Sequence, residues 1–230
     1  MFKNLFAKTA KNESPESLGP DDFLSNISGL VHVGANMGQE RETYAAHDLD
    51  VLWIEPIPEV FQKLSHNLKK FPKQRALQAL VTDEDDAVCK FNVANNDGAS
   101  SSILDFHEHK DIWPEVTFSG VIQLTTVTLA TLFKRNAIDA SSYQGMLLDT
   151  QGAELLVLTG SVPVLKGFSY IKTEVADFES YKGCCQLPEI EAFMAKHGFV
   201  EVSRHQFATR AQGGNYYDIV YKRRKWPWSK

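Results

Sequence analysis

Val31-His32-Val33-Gly34-Ala35-Asn36-Met37-Gly38-Gln39-Glu40 is an apolar strand that ends in a glycine-bearing turn and runs straight into a helical stretch. That is how a parallel sheet opens a nucleotide-like pocket. The next apolar run, Val51-Leu52-Trp53-Ile54, ends in Glu55, about where a doubly wound fold places the carboxylate that takes a ribose hydroxyl pair. Together they predict an adenosine-type cofactor. A dinucleotide needs G-x-G-x-x-G, whose second glycine clears room for the pyrophosphate, and Asn36 occupies that place. Its side chain obstructs phosphates but suits a phosphate-free partner such as the amino-acid part of S-adenosylmethionine. The chain also holds no G-x-x-x-x-G-K-[ST], so a P-loop has no support. A plainer reading has Gly34 and Gly38 only shaping the turn.

On either side of this unit, apolar runs alternate with helical patterns, which implies an α/β domain built on a parallel sheet. Strands are predicted at 30–33, 51–54, 76–81, 87–94, 121–127, 145–148 and 169–175. Between them fall helices at about 38–47, from Pro58 through Leu68, after Thr128, and over Leu155 to Val162. Pro188 opens a last helix that Gly198 stops. Two closing strands, near 199–203 and 216–222, are joined only by a loop, so they are expected to be antiparallel neighbours at one edge. The segment 100–120 has no clear period.

The chain has 230 residues and a formal net charge of −5, which fits one globular domain, expected over 21–222, with a loose lead-in at 1–20 and a basic tail at 223–230. Nucleic acid is not the expected partner at this charge. The tail joins Lys222, Arg223, Arg224 and Lys225 to Trp226 and Trp228, a mix that suits either weak contact with an anionic membrane surface or a frayed solubilising end. Cys89, Cys184 and Cys185 form neither a C-x-x-C nor a zinc-ligand spacing, and no run is long enough to span a membrane. A reducing, cytoplasmic setting is expected.

The string VHVGANMGQE, the acid in WIEP, the segment NNDGASSSIL, the run MLLDTQGAELLVLTGS and the later KTEV together resemble FkbM-type methyltransferases, from about Leu30 to Tyr221. The resemblance implies a Rossmann-like class I methyltransferase fold, with a seven-stranded, mostly parallel sheet whose last strand is antiparallel. It implies S-adenosylmethionine at the ends of the first strands and methyl transfer to a hydroxyl of a sugar, a glycosylated acceptor or a secondary product. By that pattern Gly34, Ala35, Asn36, Gly38 and Gln39 line the methionine part, Glu55 holds the ribose and Asp83 lies near the adenine. Many members read K-I-D-V-E-G where this chain has Leu147-Leu148-Asp149-Thr150-Gln151-Gly152. Any task of that lysine or glutamate is therefore lost or moved, while the aspartate is kept.

An alcohol is a poor nucleophile while protonated, so a base near the acceptor assists the transfer. Asp149, at the end of its strand, is expected to touch acceptor or cofactor, and its other reading is a helix N-cap. Glu174 ends the equivalent strand and either shares the acceptor pocket or pairs with Lys172 or Lys182 on the rim. Glu154 reads as a first-turn acid that favours the helix dipole. His107 and His109 flank Glu108 and share a face if that segment is extended, which makes them candidate bases or pocket lining, with a metal the less favoured use. No metal-ligand set is assigned. Ser101, between Ser100 and Ser102, either bonds the cofactor or belongs to the turn. Trp113, Phe118, Tyr143 and Tyr181 either cover the pocket or simply pack. Two other function classes stand beside the methyltransferase. One is an NAD-dependent oxidoreductase or epimerase, against which Asn36 and the lack of a Tyr-x-x-x-Lys pair argue. The other is a non-catalytic binding module that keeps the fold.

Overall fold

A computed structural model of the chain describes residues 19–224. In order, its strands are β1 (Gly29–Val33), β2 (Asp50–Glu55), β3 (Gln74–Gln78), β4 (Leu80–Val81), β5 (Val88–Ala94), β6 (Phe118–Val127), β7 (Gly145–Leu148), β8 (Tyr170–Ala176), β9 (Phe199–Thr209) and β10 (Asn215–Arg223). Its helices are α1 (Arg41–Ala46), α2 (Pro58–Asn67), α3 (Leu129–Arg135), α4 (Glu154–Gly160) and α5 (Leu187–Lys196).

Seven strands form one sheet in the order β3-β2-β1-β7-β8-β10-β9, and β10 runs antiparallel to both its neighbours. The chain winds outward from β1 to β3 and then returns to the far side of β1 with β7. The crevice at the strand ends therefore opens between β1 and β7, where doubly wound sheets bind ligands. β1 is buried along its whole length, as a strand covered on both faces must be. Val31 and Val33 face a core shared with α3, α4 and α5, whereas Leu30 faces one made with Phe23, Leu24, Tyr44, Trp53 and Leu64.

Local chemistry sets the helix ends. Pro58 opens α2, where its missing N–H costs nothing. The Thr128 hydroxyl accepts from the Thr131 N–H to cap α3, and Gln186 with Glu189 forms a capping box on α5. The first helix starts at Arg41, not at 38, because Gly38 has φ +71°, a left-handed conformation no helix can contain.

The run 76–81, expected as one strand, is two. β3 stays in the main sheet, and after Ala79 the chain turns so that β4 pairs with β6 in a second sheet of order β4-β6-β5. β6 also begins earlier than expected, at Phe118, because it pairs with all of β5. The closing pair is an antiparallel hairpin at one edge. Of the expected basic tail, Lys222 and Arg223 belong to β10, and Arg223 donates to the carbonyls of Phe168, His197 and Leu165. The rest of the proposed membrane contact, 225–228, and the lead-in 1–18 lie outside the described residues.

Candidate functional site

The crevice is an open concave cleft at the strand ends, the kind of place where small-molecule sites form. Gly34, Ala35, Asn36, Gln39, Glu55, Ser101 and Asp149 all line it. Gly38 does not; a Cβ there would meet Leu64 Cδ1 at 2.7 Å, so its role is to let α2 approach the turn. Gly34 brings the two turns of the crevice together, because a Cβ on it would lie 1.8 Å from the Asp149 carbonyl oxygen.

Asn36 has φ +43°. Its Oδ1 accepts from the Met37 N–H at 2.8 Å and from Gln39 Nε2 at 3.0 Å, and its Nδ2 donates to the Asp97 carbonyl at 3.0 Å. The last bond ties the loop after β5 across the crevice. Glu55 is 4% exposed and accepts the backbone N–H of Asn36 at 2.9 Å and of Ile57 at 2.8 Å. Burial pushes its carboxyl up to about 7 even though these two bonds pull it down. Beyond it lies an apolar slot made by Ile57, Leu80, Phe91 and Ile103. Phe91 lies in the predicted strand 87–94, and Ile103 falls in the stretch without a clear period. They reach the slot only because the second sheet and the loop beyond it fold back over the first.

Among the described residues no lysine or arginine lines this crevice, and Glu40, Glu55 and Asp149 do. A pyrophosphate would meet carboxylates there and no cationic side chain, whereas these residues could hold an adenosine with a cationic extension, its base in the slot, its diol on Glu55 and its positive charge toward Asp149.

Asp149 is not a helix cap. The N-cap of α4 is Ala153, and the turn before it is held by Glu154, buried, which accepts from the Thr150 N–H at 2.9 Å, the Thr150 hydroxyl at 3.1 Å and the Gly152 N–H at 3.2 Å. Asp149 Oδ1 instead accepts from Gln151 Nε2 at 2.6 Å, and Gln151 Oε1 accepts from the Tyr181 hydroxyl at 2.6 Å. Burial, before any neighbouring charge, pushes the Asp149 carboxyl up to about 7. Glu174 is driven well above the ordinary range by burial and then by Asp149, Glu154 and Asp218. It pairs with neither Lys172 nor Lys182, because Lys172 bonds Asp21 and Asp218 and no ion pair involves Glu174 among the described residues. Gln151 and Tyr181 went unnoticed as a relay because thirty positions separate them.

Asp83 is exposed and outside the crevice lining. His107 and His109 are outside it too, and they do not share a face, since a 3-10 turn over Glu108–Asp111 replaces the extended segment that reading required. His107 bonds the Glu179 carbonyl at the surface. His109 is 1% exposed and stacks on Phe106 beside Trp113 and Tyr181. Burial lowers its ring pKa to about 4. Phe118 stacks on Phe106 in the same cluster, and Tyr143 packs beside Phe133. The Ser101 hydroxyl accepts from the Ala94 N–H at 2.9 Å, which holds the loop against β5.

A second, open cavity adjoins the crevice on the α1 side of the sheet and shares His32, Glu40 and Asp149 with it. His32 is buried, stacks on Trp53 and meets the Tyr44 hydroxyl at 3.2 Å, and burial holds its pKa down at about 3. Asp149 therefore stands between two compartments.

A family model described as the methyltransferase FkbM domain matches residues 32–201. The 2-O-methyltransferase NoeI of Sinorhizobium fredii is 25% identical over 167 residues, 69% of this chain and 67% of that protein. Among solved structures, a Streptococcus pneumoniae protein described as a candidate tRNA (m1A22) methyltransferase, in complex with S-adenosyl-L-methionine, matches with TM-score 0.52 and 12% identity, covering 91% of this chain and 72% of its own. An uncharacterized protein from Listeria monocytogenes serotype 4b matches with TM-score 0.50 and 9% identity, covering 92% and 69%. At such identities the structural matches speak for the fold alone.

Proposed function

This chain belongs to the FkbM methyltransferase family, and on that premise we propose that it moves the methyl group of S-adenosylmethionine to a hydroxyl oxygen of a sugar or glycosylated acceptor. Methyl transfer from S-adenosylmethionine follows from the family; the oxygen, the sugar and the residues are the proposal. The observation that carries it is the position of Asp149, a carboxyl group with no ion pair among the described residues, between the crevice and the second cavity.

The donor, when bound, supplies a methyl group already activated by a positively charged sulfur. Gly34, Ala35, Asn36 and Gln39 would hold its amino-acid part, Glu55 its ribose hydroxyls, and the Ile57–Phe91 slot its base. The second cavity would take the acceptor. The acceptor oxygen would take the methyl carbon as the carbon–sulfur bond of the donor breaks to leave the neutral thioether of S-adenosylhomocysteine, and the hydroxyl proton would pass to the Asp149 carboxylate, whose pKa near 7 suits it to receive a proton at neutral pH. The Tyr181–Gln151 relay holds that carboxylate in one orientation, which matters because in-line placement supplies several kcal/mol of the rate enhancement. The oxygen acceptor is also supported by the similarity to NoeI, a 2-O-methyltransferase.

Thermal melts with S-adenosylhomocysteine and with NAD, followed by mass spectrometry of glycosides incubated with the methyl donor, test this reading. Stabilisation by S-adenosylhomocysteine alone, and a methyl ether product, are expected. Stabilisation by NAD instead would overturn the donor assignment. Donor binding without any methylated glycoside would overturn the acceptor.

A further inference from the structure

The walls of the second cavity carry unbalanced charge. Asp21, Glu40, Asp149, Glu174 and Asp218 line it against a single ammonium, that of Lys172. Lys172 is already committed, at 3.0 Å to Asp21 and 3.3 Å to Asp218. Asp21 and Glu40 lie at the exposed mouth, where water screens them. Asp149, Glu174 and Asp218 are half-buried.

Two of these acids are also placed against each other. Glu174 on β8 and Asp218 on β10 are direct cross-strand partners in the antiparallel ladder, and like charges directly opposite destabilise a sheet. The one donor to Asp149 is the Gln151 amide, a neutral group. A cavity beside the point of methyl transfer thus holds two opposed carboxyl groups and one cation, which reaches only Asp218, while burial and the neighbouring acids favour a proton on Glu174 until a cation arrives to replace it.

We infer that the methyl acceptor carries an ammonium group beside the hydroxyl that is methylated, with the ammonium at the Glu174 and Asp218 end of the second cavity and the hydroxyl at Asp149. The inference rests on the proposed role of the crevice and of Asp149, and it names the acceptor class as an amino sugar or a similar amino alcohol. The placement follows from which walls are shared: Asp149 belongs to both compartments, whereas Glu174 and Asp218 line the second and not the crevice. An ammonium between Glu174 and Asp218 relieves their repulsion and donates to both. Held by two carboxylates it keeps its proton, so its nitrogen has no lone pair to attack the methyl group, and the transfer goes to oxygen. An anionic acceptor such as a sugar phosphate or uronate would add to the repulsion.

The test uses the whole chain with the methyl glycosides of glucosamine, N-acetylglucosamine and glucuronic acid at neutral pH. Affinity is measured with S-adenosylhomocysteine present, and the product is located by mass spectrometry. Preference for the free amine over the N-acetyl glycoside by tenfold or more, no binding of the uronide, and an O-methyl product are expected. Glu174→Gln should bring the amine and N-acetyl glycosides to within about threefold of each other, while a separate titration finds S-adenosylhomocysteine affinity unchanged. That variant replaces a carboxyl whose ionisation burial disfavours with a neutral amide of the same shape, so it should melt no lower than the parent. Methylation of the neutral glycoside as readily as of the amine would overturn this inference and leave O-methyl transfer to sugars standing. Methylation on nitrogen, preference for the uronide, or an amine preference that survives Glu174→Gln would also overturn it. Tight S-adenosylhomocysteine binding with no affinity for any of the three glycosides would overturn this inference and the carbohydrate reading together.

Discussion

Glu55→Ala separates what this carboxylate does for the fold from what it does for the donor. Its two oxygens satisfy the backbone N–H groups of Asn36 and Ile57, and a buried donor left without an acceptor costs about 1–3 kcal/mol. Ile57 is buried, while Asn36 faces the crevice, where water can replace the lost acceptor. The expected destabilisation is therefore about 1–3 kcal/mol, or a fall in Tm of about 2–12 °C for a chain of this size. The ribose hydroxyls lose charge-assisted bonds of about 1.5–3 kcal/mol, so S-adenosylhomocysteine affinity should fall by about 10–100-fold. Glu55→Gln keeps one acceptor, so it should lose less stability but much of the affinity. Melting curves and calorimetry at pH 8, where the parent carboxylate is ionised, measure both quantities. A Glu55→Ala chain that melts and binds like the parent would refute the reasoning.

Burial raises Glu55 and Asp149 from their ordinary values of 4.5 and 3.8 to about 7. The stability that this contributes is complete at acid pH below those ordinary values and is lost as pH rises through about 7, so Tm without ligand should fall between pH 5 and 8; a flat profile would show that neither group is perturbed. Asp149→Asn should lower kcat roughly a hundredfold and abolish the rise in parent activity through pH 7, with S-adenosylhomocysteine affinity little changed; full turnover would remove Asp149 as the proton acceptor. Tyr181→Phe frees Gln151 Oε1 and should lower kcat more than it raises KM, by roughly three- to tenfold, since it acts only through the orientation of Asp149; unchanged kcat counts against the relay. Gly34→Ala would push a Cβ into the Asp149 carbonyl and should destabilise the chain by roughly 3 kcal/mol or more, read as a loss of soluble, cooperatively melting protein.

Much of the crevice floor was legible in sequence, because its parts are local. The strand, the Gly34 turn, Asn36 and Gln39 lie within one short run, and Glu55 ends the strand that pairs with it. Asp149 was legible for the same reason, as the residue after β7. The spacing of His107 and His109 puts them on one face only if the segment is extended, and a 3-10 turn there, with His109 packed among Phe106, Trp113 and Tyr181, removes that condition. Of the two readings open for Glu174, pairing with a nearby lysine fails because Asp218, from β10, takes Lys172, which sequence proximity does not show.

By itself, then, the order of residues determined the alternating α/β architecture, the glycine-bearing turn and the acid that follows β2, since periodicity, turn chemistry and strand ends act over a few neighbouring residues. Only the tertiary structure decided that Phe91 and Ile103 roof the crevice, that Tyr181 reaches Asp149 through Gln151, and that Glu174 faces Asp218 across the ladder. Burial, hydrogen-bond geometry and the repulsion of like charges depend on distances in space, and those distances are set by how remote segments pack together.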